Sequence, residues 1–120
     1  MQLSVDGLEV TQSSAILRYV GKITGFYPAD SLLALQVDEI DMIVEEVAMR
    51  TIIATAHLTG QARLDARAAL AADKKGVLHF WLGQLNSKLS ASSSGFAVGE
   101  ALTVADLRIF CELTAATSGW

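Results

Sequence analysis

Residues 3–28, which read LSVDGLEVTQSSAILRYVGKITGFYP, contain a strand pattern followed by a helix pattern. Polar and apolar residues alternate on each side of Asp6-Gly7, and this dipeptide tolerates the positive backbone angles of a two-residue hairpin turn. The sequence therefore predicts a β-hairpin over residues 2–11. Because an isolated two-stranded hairpin is barely stable in water, we expect it to be the edge of a larger sheet whose other strands lie outside this chain.

The spacing of apolar residues changes after the polar corner at residues 12–14. Apolar side chains then recur at intervals of three and four residues, which predicts a helix over residues 13–24; they are Ile16, Val20 and Ile23. Gly25 is placed to end this helix. Ser13 is a candidate for capping its first turn, because serine hydroxyls accept hydrogen bonds from the free amides there.

Two longer helices are predicted downstream. The first begins near Ser31 and continues to about residue 58, about 25 residues or roughly 37 Å; its most regular apolar positions are Val37, Ile40, Val44 and Val47. The second runs from Arg63 to about Leu89. Gly76 and Gly83 weaken this second helix without having to end it, so we expect it to be continuous.

The last helix follows a polar loop. The segment SASSSGFAVGE, residues 90–100, is rich in serine and glycine and predicts a loop. Thr103 and Asp106 then have the spacing of a capping box, in which the acidic side chain returns a hydrogen bond to the backbone amide of the cap residue. We therefore assign both residues to helix initiation rather than to catalysis.

The composition is that of one globular domain. The chain has 120 residues, of which 52% are hydrophobic, and a formal net charge of −4. No block of like charge occurs, so the sequence predicts no nucleic-acid partner. No window reaches the roughly 18 uncharged apolar residues of a membrane span, and we therefore predict no membrane partner.

The cysteine and histidine residues predict neither a disulfide nor a metal site. Cys111 is the single cysteine, which favours a reducing compartment and makes the cytoplasm the expected location. We expect Cys111 to lie in the core. His57 and His79 are too far apart for a familiar zinc-ligand spacing, so the predicted metal content is none.

Two parts of the sequence resemble the cytosolic glutathione transferase family. Residues 3–28 are similar to the last two strands and third helix of the family's thioredoxin-like domain. FAVGEALTVADLRIF, residues 96–110, is similar to the signature that opens the sixth helix of its helical carboxyl domain. The resemblance implies a mainly α fold: residues 1–29 are a hairpin-plus-helix remnant of the thioredoxin-like domain, and residues 30–120 an incomplete all-α domain. It therefore also implies truncation at the amino end and at the carboxyl end.

The resemblance further implies a glutathione site at the polar corner. In the family, a Gln-Ser or Glu-Ser pair before the third helix binds the γ-glutamyl end of glutathione, and Gln12-Ser13 match that pair. The physics agrees, because a carboxylate is stabilised by the free amides and the positive dipole end at a helix amino terminus. In related classes an acidic residue of the partner subunit's long helix completes the site, and Glu46 matches it.

A homodimer is the assembly that the resemblance implies. Arg18 and Lys22 match a basic pair that faces an acidic stripe on the partner's long helix, here Asp38 and Asp41. Because surface ion pairs add little affinity, such contacts would set the register of the dimer. Glutathione would serve as co-substrate beside a hydrophobic electrophile, and the resemblance implies no cofactor.

The family's catalytic Tyr, Ser or Cys would lie before Met1, so this chain would carry only part of the site. Tyr19 and Tyr27 lie in or beyond the third helix and do not replace that residue. The parent protein would be a detoxifying glutathione transferase that conjugates glutathione to electrophiles. Two alternatives remain open: a non-catalytic relative that serves structure or assembly, as a lens crystallin or a domain of an elongation-factor subunit does, and an inactive fragment.

Overall fold

The chain forms a short hairpin followed by five α-helices, in a computed structural model that describes residues 2–117. The prediction of a mainly α fold is confirmed. The hairpin strands are β1 (Leu3–Val5) and β2 (Leu8–Val10), and the helices are α1 (Ser13–Thr24), α2 (Ser31–Ala48), α3 (Gly60–Ala72), α4 (Val77–Ala91) and α5 (Val104–Thr117). A π-helical segment, Met49–Ile53, directly continues α2.

The hairpin has the turn that its sequence predicts. β1 and β2 are antiparallel, and Leu3 lies opposite Val10. Asp6 and Gly7 have φ values of 50° and 83°, and positive φ at both central residues is the requirement of a type I′ turn, whose twist suits a hairpin. The larger sheet expected around this hairpin stays a prediction.

The core lies between α2, α4 and α5. The most completely buried large side chains are the four that the spacing within α2 singles out, Ile40, Val37, Val44 and Val47. Leu85 of α4 and Ala105 and Ile109 of α5 pack into the same cluster. Burying an apolar side chain of this size contributes about 1.5–3 kcal/mol, so this cluster supplies much of the folding free energy.

The carboxyl-terminal half of α1 and the residues after it pack closely against α5. The backbone amide of Val104 donates to the carbonyl of Phe26 at 2.9 Å. A Cβ atom on Gly21 would lie 2.6 Å from Val104 Cγ1, so only glycine lets α1 approach α5 this closely. The boundary between residues 1–29 and residues 30–120 stays a prediction.

The first long helix changes its geometry before its predicted end. Regular α-helix stops at Ala48, and the backbone continues as the π-helical segment Met49–Ile53. The hydroxyl of Thr51 donates to the carbonyl of Val47 at 2.7 Å, and that of Thr55 donates to the carbonyl of Thr51 at 2.6 Å. Threonine hydroxyls bonded in this way compete with backbone amides and distort a helix.

The prediction of one continuous helix from Arg63 to about Leu89 is wrong. α3 ends at Ala72 and α4 begins at Val77. Asp73 makes the turn between them, because its Oδ1 accepts from the amide of Lys75 at 3.1 Å and its carbonyl accepts from the amide of Gly76 at 2.9 Å. The hydrogen bonds of this aspartate turn end the helix, although the helix propensities of the residues on both sides favour its continuation. Gly83 is accommodated within α4, as expected.

The expectation that Cys111 lies in the core is also wrong. Cys111 is a free, exposed cysteine, because α5 turns its other face inward and buries Ala105, Ile109 and Glu112. Within residues 2–117, no helix is long and apolar enough to cross a membrane.

Candidate functional site

The polar corner ahead of α1 leaves the first turn of this helix without a side-chain cap. Gln12 occupies the cap position in an extended conformation, with φ −81° and ψ 120°, and its side chain makes no capping hydrogen bond. Ser13 is already the first helical residue, so it does not fill the capping role that serine could have taken. No acidic residue lies in the first turn. Free amides and the positive dipole end therefore meet at this corner.

The side chains of the corner are available to a ligand. Gln12 is exposed and Ser13 is half-buried. A hydroxyl can donate to a carboxylate, and the amide of Gln12 can donate or accept. Positive backbone dipole, hydroxyl and amide are the groups that recognise a small carboxylate at a helix start.

Arg18 and Asp38, predicted to meet across a dimer, are paired within the chain. Asp38 Oδ1 accepts from Arg18 Nε at 2.9 Å and from the hydroxyl of Tyr27, also at 2.9 Å. Burial, followed by the hydrogen bond to Asp38, raises the pKa of Tyr27. Lys22 lies with its Nζ 5.2 Å from the centre of the Tyr27 ring, a distance typical of a cation–π contact.

Asp41 is buried, which contradicts its assignment to an exposed acidic stripe. Its relative exposure is only 4%, and its Oδ1 lies 3.3 Å from Arg108 Nε on α5. Glu45 pairs with the same guanidinium. The prediction that Arg18, Lys22 and Asp38 contribute to a dimer interface stays a prediction, whereas Asp41 faces the interior of its own chain.

Asp41 belongs to a buried charge cluster that the sequence pattern does not indicate. Arg67 of α3 is also buried, and its Nε donates to Thr55 Oγ1 at 3.0 Å. Glu112 of α5 is 7% exposed. Burial raises the pKa of Glu112; Arg108 opposes this effect, Glu45 adds to it and Arg67 opposes it.

The charges in this cluster are only partly compensated by hydrogen bonds. Among the described residues, Asp41 Oδ1, Arg108 Nε and Glu112 Oε1 are buried without a hydrogen-bond partner. Asp41 and Arg108 therefore attract each other as charges, without the alignment of a hydrogen bond. The four-residue spacing of Arg108 and Glu112 could have placed both on one face of α5, but it could not have shown that this face is inward.

Glu46, predicted to reach glutathione from a partner subunit, lies on the outer side of α2. Its carboxylate is 3.5 Å from Arg50 Nη2, so it is engaged locally rather than with the corner at Gln12. It also lines a groove of about 550 Å³ between α2 and α4, together with Glu39, Met42, Ile43, Glu45, Phe80, Trp81 and Gln84. Met42 and Phe80 are 48% and 56% exposed.

The capping box before α5 also holds the preceding loop. The backbone amide of Thr103 donates to Asp106 Oδ2 at 2.8 Å, and its hydroxyl donates to the same oxygen at 3.0 Å. The amide of Ala97 donates to Asp106 Oδ1 at 2.6 Å. One carboxylate thus starts the helix and fixes the loop, which is a structural role.

Comparison with known proteins agrees with this architecture. The family model described as "Glutathione S-transferase, C-terminal domain" matches residues 48–118, more than half of the chain. The chain is 32% identical over 113 residues to "Glutathione S-transferase 3" of Caenorhabditis elegans, covering 93% of this chain and 55% of that protein. It therefore spans about half the length of this curated relative.

Solved structures of glutathione S-transferases also align with nearly the whole of this chain. The glutathione S-transferase of Ascaris lumbricoides aligns with a TM-score of 0.73 at 26% identity, over 98% of this chain and 57% of that one. A glutathione S-transferase of the hookworm Necator americanus, described as monomeric, aligns with a TM-score of 0.62 at 27% identity, over 98% and 58%. The order and packing of the elements and the family match lead to one conclusion: the chain belongs to the glutathione S-transferase family.

Proposed function

We propose that this chain binds the γ-glutamyl end of glutathione at the corner formed by Gln12 and Ser13. The observation that carries the proposal is the uncapped amino terminus of α1 in a chain of this family. In the proposed complex, the glutathione carboxylate accepts from the hydroxyl and the free amide of Ser13, and Gln12 contacts the neighbouring polar groups. Such charge-assisted hydrogen bonds contribute about 1.5–3 kcal/mol each.

Titration calorimetry with reduced glutathione tests this site. Ser13→Ala removes a hydroxyl but keeps the backbone amide, so we expect about a tenfold or greater rise in Kd. Ser87→Ala is the matched control, because the Ser87 hydroxyl donates to a carbonyl within α4, away from the corner. Equal affinity in the unsubstituted chain and in Ser13→Ala would refute the assignment.

The activity proposed for the whole protein is conjugation of glutathione to hydrophobic electrophiles in the cytoplasm, with a role in detoxification. Residues 1–120 alone are expected to bind glutathione without appreciable turnover. Tyr27 illustrates the reason: its hydroxyl donates to Asp38 and its pKa is raised, whereas a tyrosine that stabilises a thiolate must direct its hydroxyl at the thiol. Turnover of an electrophile by this chain, lost in Ser13→Ala, would overturn that expectation.

We further propose a homodimer in which Glu46 approaches the partner's corner and meets the amino group of glutathione. The exposed side chains of Met42 and Phe80 beside Glu46 support this, because an apolar patch with a polar rim is typical of an interface. Since the Necator americanus relative is described as monomeric, the oligomeric state needs its own measurement.

Sedimentation equilibrium separates the two states. Phe80→Glu places a charge in the groove and is expected to give monomers. Phe110→Glu alters a still more exposed phenylalanine on α5 and is expected to leave the dimer intact. If the unsubstituted chain is monomeric at tens of micromolar and still binds glutathione, the proposed contribution of Glu46 is wrong.

A further inference from the structure

We infer that Asp38 is a positioning residue for glutathione binding: it fixes the direction of α1 and therefore the place of Gln12 and Ser13. This inference rests on the proposed function of the corner. Asp38 does not belong to the corner itself, since it lies on α2 and its contacts are with Arg18 and Tyr27.

The geometry around Asp38 joins three separate segments of the chain at one oxygen. Oδ1 accepts from Arg18 Nε of α1 and from the hydroxyl of Tyr27 in the α1–α2 connection, each at 2.9 Å. The side chains of Arg18 and Asp38 are 33% and 36% exposed. Two directional hydrogen bonds to a partly buried carboxylate define a geometry more narrowly than a single surface ion pair does.

Asp38 contributes to a raised pKa in both side chains that donate to it. The hydrogen bond to Asp38 is the largest cause that raises the pKa of Arg18. Burial raises the pKa of Tyr27, and the hydrogen bond to Asp38 adds to this effect. Tyr27 therefore keeps its proton and Arg18 its charge, so both remain donors to the carboxylate.

Arg18 lies close enough to the start of α1 for these bonds to affect the position of Gln12 and Ser13. Arg18 lies five residues after Ser13, about 7.5 Å along the helix axis. Beyond the carboxyl end of α1, the amide of Val104 donates to the carbonyl of Phe26 at 2.9 Å, which ties that end to α5. The bond from the amide of Tyr27 to the carbonyl of Gly21, at 3.1 Å, only closes the end of α1 itself. Leu17 also packs on the core, but apolar packing is not directional.

A small rotation is enough to affect binding. If the amino-terminal part of α1 tilts by about 10° around Arg18, Ser13 moves by roughly 1 Å over that length. In catalysis, a displacement of about 1 Å can cost roughly a hundredfold in rate, and hydrogen bonds to a bound carboxylate also weaken steeply as their distance and angle depart from the optimum. We expect Asp38→Ala to raise the Kd for glutathione by about tenfold without removing any group that contacts the ligand.

Calorimetric titration of residues 1–120 with reduced glutathione tests the inference with a matched control on the same helix. Asp30→Ala removes a carboxylate that accepts from the amides of Leu32 and Leu33 at 3.0 and 2.9 Å, so it destabilises α2 without touching α1. At temperatures where both variants are fully folded, Asp38→Ala is expected to bind weakly and Asp30→Ala normally. Asp38→Asn keeps an acceptor oxygen and is expected to regain most of the affinity.

A second measurement is independent of the ligand. Residual dipolar couplings of backbone amides report the angle between α1 and α2, which is expected to change in Asp38→Ala and to stay constant in Asp30→Ala. Equal weakening by the two alanine variants, or unchanged affinity and angle in Asp38→Ala, would overturn the positioning role. Failure of the unsubstituted chain to bind glutathione would instead refute the proposed function, and with it the ligand named here.

Discussion

Replacing Asp106 by alanine is expected to destabilise the chain through the loss of one carboxylate that serves two backbone amides. The amides of Ala97 and Thr103 donate to it at 2.6 and 2.8 Å. A hydrogen bond to a charged group contributes about 1.5–3 kcal/mol. Because Asp106 is half-buried, the lower figure applies, and the two bonds together contribute about 3 kcal/mol.

For a chain of this size that loss lowers the melting temperature by about 12 °C, at about 4 °C per kcal/mol. Thermal unfolding followed by circular dichroism measures it, and Asp106→Asn, which keeps one acceptor, is expected to lose about half as much. Asp65→Ala is the control: it removes an exposed carboxylate whose bond to Gln61 lies on the surface of α3. If Asp106→Ala and Asp65→Ala melt within about 2 °C of each other, the Asp106 carboxylate does not make this contribution to stability.

Three further substitutions are expected to change the stability of the chain in a predictable direction. Because burial raises the pKa of Glu112 in the folded chain, its contribution to stability is present below the unfolded pKa and is lost as pH rises through the folded pKa. Glu112→Gln should flatten that fall in urea unfolding as the pH rises above about 4.3, the ordinary pKa of glutamate, and an unchanged profile would contradict the assignment. Gly83→Ala, whose new Cβ meets nothing within 4 Å, should stabilise α4 by about 0.5–1 kcal/mol, whereas Gly21→Ala should destabilise because its Cβ would meet Val104. If calorimetric melting shows that Gly21→Ala is stabilising as well as Gly83→Ala, α1 and α5 separate easily.

Local sequence patterns predict the parts of the fold that depend on interactions between residues close together along the chain. The turn at Asp6-Gly7 follows from which residues tolerate positive φ, and the inward stripe of α2 follows from helical spacing. The contact between Thr103 and Asp106 spans only three residues. In each case the interacting groups are neighbours along the chain, so no tertiary information is needed.

Contacts between distant residues explain what the sequence did not reveal. Arg67 reaches Thr55 and the carbonyl of Ala115 on another helix, so nothing near Arg67 in sequence shows that it is buried. Asp38 binds Arg18 and Tyr27, and that pairing depends on how α1 packs. The break at Asp73 was recognisable in principle as an aspartate turn, but helix propensity on both sides concealed it.

Gln12 and Ser13 are proposed to form a glutathione-binding corner at the start of α1. A titration of isotope-labelled residues 1–120 with reduced glutathione, followed by NMR, tests it most directly. We expect saturable shifts of the backbone amides of Ser13 and Ser14, with no comparable shift at Ser87 in α4. Shifts that are absent at the corner, or confined to the groove between α2 and α4, would contradict it.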